Sequence, residues 1–104
     1  MDGHRLAEKR SLLLHRTVAA RLRDDPEALE AVRARVAEWL RTGAVHVEYA
    51  GAWDEILARP LSQVCDAIVR DDERTRALRQ STPFAGILDA RSRWAVWRAA
   101  GRHV

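Results

Sequence analysis

Ala44-Val-His-Val-Glu-Tyr49 is a stretch that alternates apolar and polar residues as a half-buried strand does. A strand needs a partner, and no second alternating run exists in the chain to pair with it. The segment therefore reads as a loop entering a helix, and the fold class as all-α. The expected architecture is a compact bundle of five or six short helices in a single domain spanning residues 1–104.

Working outward from that loop, helical signals run in both directions. Upstream, Leu29, Val32, Val36, Trp39 and Leu40 make a core stripe on a helix over 26–42, which Gly43 closes in a left-handed cap. Before it, Asp24-Asp25-Pro26 ends one helix and starts the next: the Asp25 side chain accepts free amides, Pro26 suits the first helical position, and Glu27 complements the positive end of the dipole. The first helix covers 2–23, with Leu6, Leu13, Leu14, Val18 and Leu22 near one face.

Downstream, a third helix over 47–58 carries Tyr49, Trp53, Ile56 and Leu57 and stops before Pro60. Pro60 opens a fourth, with Leu61, Val64, Cys65 and Ile68 at helical spacing. Arg70-Asp71-Asp72 repeats the earlier capping signal and starts a fifth helix over 72–80, with Ala77 and Leu78 buried and Arg70, Arg74, Arg76 and Arg79 solvated. Pro83 forces the chain out of helical geometry at Thr82, Gly86 permits a turn back, and the 81–88 linker carries Phe84, Ile87 and Leu88 inward. Asp89 then caps a last helix over 90–100 that ends at Gly101.

With 47% apolar and 32% charged residues, the 104-residue chain is globular rather than disordered, and too small to hold a deep internal cavity. The single cysteine, Cys65, has no internal partner and falls on a buried helical face, so it reads as a reduced structural thiol. No apolar run approaches the roughly 18 to 20 residues that span a bilayer, and the N-terminus lacks a basic region followed by an apolar block. The expected location is the cytoplasm. Net charge is +3, with both ends basic: residues 1–23 hold six basic and two acidic groups, and 81–104 hold four and one. Seventeen of the 18 cations are arginine, the side chain suited to planar contact with carboxylate or phosphate.

Trp94 and Trp97 lie three residues apart on the last helix, with Arg91, Arg93 and Arg98 nearby. Two readings compete: both indoles pack inward, or one belongs to an exposed aromatic and arginine patch of the composition enriched at protein interfaces. A domain of this size has difficulty hiding four tryptophans, Trp39, Trp53, Trp94 and Trp97, so at least one is expected to meet a partner. Nucleic acid is the rival ligand, because Arg and Trp also contact phosphates and bases; the helix-turn-helix candidate at 61–79, however, puts Asp71 and Asp72 in its turn. Catalysis rests on Arg10 and His15 alone, which fit the Arg, four residues, His spacing of the helical HEPN ribonucleases, though early in the chain. His4, His46 and His103 are scattered without a spaced Cys or carboxylate set, so neither a metal nor another cofactor is expected.

Over 77–98, ALRQSTPFAGILDARSRWAVWR, and 10–29, RSLLLHRTVAARLRDDPEAL, the chain resembles small bacterial proteins that look like the antitoxin or partner components of two-gene toxin–antitoxin modules. The resemblance implies a non-enzymatic protein that binds a cognate toxin and silences it by covering its active site. The contact residues expected for that role are Arg79, Gln80, Phe84, Arg91, Trp94 and Trp97.

Overall fold

Helix α1, Gly3–Asp24, is the axis on which the molecule is built. The remaining helices are α2 (Ala28–Thr42), α3 (Val47–Leu57), α4 (Leu61–Ile68), α5 (Glu73–Arg79) and α6 (Ala90–Arg102), and no strand occurs among the described residues. The computed structural model describes residues 3–102; Asp2, expected to open the first helix, and His103 lie outside them. The all-α bundle is therefore established, and the alternating stretch is a bend after α2 followed by the first turn of α3. Helices α4, α5 and α6 pack on α1, α2 packs on α3, and α3 also meets α4 and α5. Among the described residues no helix is long and apolar enough to cross a membrane.

The boundaries follow from how each helix end satisfies its free backbone groups. Gly43 adopts φ 73° and donates its amide to the Trp39 carbonyl, the left-handed cap that its lack of a Cβ allows. The Asp72 carboxylate accepts both the Thr75 amide and hydroxyl at 2.8 Å, and Asp89 accepts the Ser92 amide at 2.7 Å. These bonds hold both carboxyls below their ordinary pKa range. The His46 ring does the same work for α3, its Nδ1 accepting the Glu48 amide at 3.1 Å, a role that its scattered position in the sequence did not signal.

Several expectations need correction. Helix α2 begins at Ala28 rather than Pro26, because residues 25–27 form a tight turn in which the carbonyls of Asp25, Pro26 and Glu27 accept the amides three residues on. The amides that the Asp25 side chain was expected to cap are thus served by backbone. In α5 it is Thr75, Leu78 and Arg79 that are buried, while Ala77 is exposed. Helix α6 passes through Gly101 to Arg102, since Gly101 lacks the positive φ that a glycine cap requires.

The core joins Val18 and Leu22 of α1, Val32 and Val36 of α2, Trp53 and Leu57 of α3, and Val64 and Ile68 of α4. Cys65 lies among them with its Sγ 3.6 Å from the Ala19 carbonyl, and burial pushes its thiol pKa up. The 81–88 linker closes this core. Phe84 meets Trp53 and His15 edge-on at 5.6 and 5.9 Å, with Pro83 and Leu88 also buried. Arg35 of α2 donates to the carbonyls of Pro83 at 2.9 Å and Ala85 at 2.6 Å, so α2 fastens the backbone of the segment whose side chains fill the core. The linker fixes where α6 starts.

A candidate docking surface on the last helix

Only Ala100 is buried among the described side chains of α6. The sequence 90–102 explains this: it holds four arginines and two tryptophans but only one large aliphatic residue, Val96, so its apolar stripe on the α1 side is made of small side chains. Ser92, Val96, Ala99 and Ala100 sit at the spacing of one face, which lies on α1, and Trp94 falls on the opposite side.

Both indoles are consequently open to solvent, Trp94 by 54% and Trp97 by 45%. They stack on each other with ring centroids 5.0 Å apart and planes inclined by 13°. The Arg10 guanidinium lies 3.5 Å over the centroid of Trp97, and its Nε donates to the Trp97 carbonyl at 3.2 Å. A guanidinium so close cannot share a face with the stacked Trp94, so Trp97 is held between a cation on one side and an indole on the other. Arg98 stands 5.8 Å from the Trp94 ring. The result is an ordered ladder of arginine, two tryptophans and arginine, in which each exposed cation contact is worth roughly 0.5–1 kcal/mol. Ring area that would otherwise sample many rotamers is held in one arrangement, which lowers the entropic cost of docking.

The structure brings together three of the expected site residues, Arg91, Trp94 and Trp97, on one exposed helix. Gln80 is also exposed but lines a separate cleft with Ala7, Ser11 and Arg76. Phe84 and Arg79 are corrections: both are interior, at 4% and 3% exposure, and neither is presented to a partner. Phe84 is held by the core packing described above. The Arg79 Nη1 donates to the carbonyls of Ile68 at 3.1 Å and Arg70 at 2.6 Å, so it closes the carboxyl end of α4, where orphan carbonyls and the helix dipole favour a cation. Desolvation lowers its pKa, and its Nε is buried without a partner. Arg10 is the contributor that sequence reasoning missed in this role, because the residue it covers is 87 positions away.

The Arg10 and His15 pair does not form a joint site. Arg10 leaves α1 toward Trp97, whereas His15 is buried at 1% exposure. Its Nδ1 lies 2.7 Å from the Ser11 carbonyl and must donate there, which leaves Nε2 to accept from the Thr82 hydroxyl at 2.8 Å. Burial lowers its pKa to about 4. In the helix-turn-helix candidate, Asp71, Asp72 and Glu73 stand at the start of the seven-residue α5, the end that would approach phosphates. A wider cleft of about 790 Å³ between α3 and α5 is lined by Arg59 and Glu55, paired with each other, by Arg70 and Asp72, likewise paired, and by Glu73 and Arg74.

No family model matches the chain, and no curated protein or solved structure is detectably similar to it.

Proposed function

We propose that this chain is a bacterial, cytoplasmic protein-binding module of the antitoxin kind, which holds and silences a cognate toxin through the outer face of α6. One observation carries the reading: two stacked, solvent-exposed tryptophans are clamped between arginines on a helix that buries only Ala100. Exposed Trp and Arg are the side chains that most often anchor protein interfaces. The reading takes its toxin from the sequence resemblance and its contact surface from α6. It is tested by co-expressing the chain with the product of an adjacent reading frame and titrating the purified partners. Trp94→Ala, which touches no core residue, is expected to weaken the complex by more than about ten-fold. Unchanged affinity in a folded variant removes Trp94 from the site.

The second reading is nucleic-acid binding, favoured by the cations that surround the same indoles. It requires affinity that falls steeply with salt, where an aromatic-centred protein contact responds less. Absence of any DNA or RNA retardation at low salt disposes of it.

A further inference from the structure

Two sets of arginines in this molecule differ in what they touch. Arg23, Arg33, Arg41, Arg59, Arg70 and Arg76 each hold a carboxylate of their own chain. Arg10, Arg16 and Arg21 of α1 and Arg91, Arg93 and Arg98 of α6 form no ion pair among the described residues, and all six belong to the two helices that make the tryptophan-bearing surface. Asp89, at the start of α6, is engaged by the Ser92 amide. Along one flank of α6 runs an open apolar groove lined by Leu13, Thr17, Ala20, Val96 and Ala99, with Arg16 at its margin.

Resting on the protein-docking reading above, we infer that the α1/α6 surface takes an acidic amphipathic protein segment. Its apolar side chains enter the groove and reach round the outer face of α6 to Trp94, and its carboxylates pair with the exposed arginines of the two helices. Charge complementarity sets the sign of the partner: Asp71 lies near Arg16 and Asp89 near Arg21 and Arg91, but two carboxylates offset only part of six cations, and arginine binds further carboxylates through two parallel hydrogen bonds. Two alternative occupants fit less well. A nucleobase finds both faces of Trp97 taken, by Trp94 and Arg10, and has no use for a groove of aliphatic side chains. A second copy of the chain offers carboxylates such as Asp24, Asp25, Glu27, Glu48 and Asp54, but they are spread over several elements rather than gathered on one apolar-faced segment. An acidic contact surface is also opposite in sign to the cationic clefts that hold nucleic-acid phosphates. The segment gripped is therefore not such a cleft.

The test uses the full chain and defined probes in fluorescence anisotropy. The probes are a labelled amphipathic helical peptide of about 20 residues with Leu on one face and Glu elsewhere, its counterpart with Lys for Glu, and single-stranded RNA of about 20 nucleotides. The Glu peptide is expected to bind at least about ten-fold more tightly than the Lys peptide, with that preference shrinking as salt rises. Trp94→Ala and the triple variant Arg91→Glu, Arg93→Glu, Arg98→Glu are each expected to lose about ten-fold or more, with helicity unchanged by circular dichroism. Arg74→Glu, on α5, leaves binding unaltered. Equal binding of the two peptides, lost in Trp94→Ala, sinks the acidic partner and leaves the docking reading standing. Preference for RNA sinks both. Binding of neither peptide, or a dimer in sedimentation that the triple variant dissolves, overturns the inference.

Discussion

His15 carries the most consequential single titration in the molecule. Its folded pKa of about 4 lies below the unfolded value of 6.5, so the unfolded chain binds the extra proton first and stability falls as pH drops through that interval. The loss amounts to about 3 kcal/mol by the bottom of the window. The carboxyls of Asp71, Asp72 and Asp89 are shifted downward from 3.8, so the stability they contribute is present above that value and lost at lower pH. The two effects occupy separate windows. Urea unfolding at several pH values between 6.5 and 4 should show the decline in the wild type, and His15→Gln should flatten it; an equal slope in both would assign it to other groups. Arg79 is a second residue whose role is internal. Arg79→Ala strands the Ile68 and Arg70 carbonyls and should cost about 1–3 kcal/mol in urea unfolding. Partner affinity, measured on the folded fraction, should stay at the wild-type value.

At the scale of elements, the 81–88 linker behaves as part of the core rather than as a connection. Phe84→Ala should cost about 3–5 kcal/mol, because the ring fills the space between Trp53 and His15 and cannot be replaced by local collapse. Gly86, at φ 94°, permits a turn that an L side chain strains, and Gly86→Ala should cost about 1–3 kcal/mol. Both are read from equilibrium unfolding. A Phe84→Ala loss below 1 kcal/mol would mean that the ring contributes little to the core. The inward path of this linker was legible from Pro83, Gly86 and the three apolar residues between and after them, since proline and glycine act locally on the backbone. Its fastening was not legible: Arg35 and His15 reach it from 48 and 67 residues away, and no local pattern marks them.

At the scale of the whole molecule, five helices share one core and the sixth leans against α1. Helix α6 should therefore open at lower free energy than the rest, so its backbone amides should exchange with solvent faster than those of α4, whose Val64, Cys65 and Ile68 are fully buried. Native-state hydrogen exchange followed by fragment mass analysis tests this, and protection of α6 equal to that of α4 would show that the α1 contact alone is sufficient. Bound partner should slow exchange in α6 more than elsewhere. Arg10→Ala, which uncovers one face of Trp97, should speed exchange in the last turns of α6 without changing the core, because it removes the one side chain that both stacks on and hydrogen-bonds this helix.

The sequence by itself determined the helical class, the order of the helices and most of their ends. These depend on spacing, caps, proline and glycine, which act within a few residues. It also determined that four indoles would strain the capacity of so small a core. Only the tertiary structure decided which indoles lost that competition. Trp53 is sealed, while Trp94 and Trp97 stand outside, because α6 turns its small residues to α1 and no further helix covers its other side. The same packing moved Arg79 inside and brought Arg10 onto Trp97. A side chain's burial depends on what the rest of the chain places opposite it, and that is a property of the assembled fold.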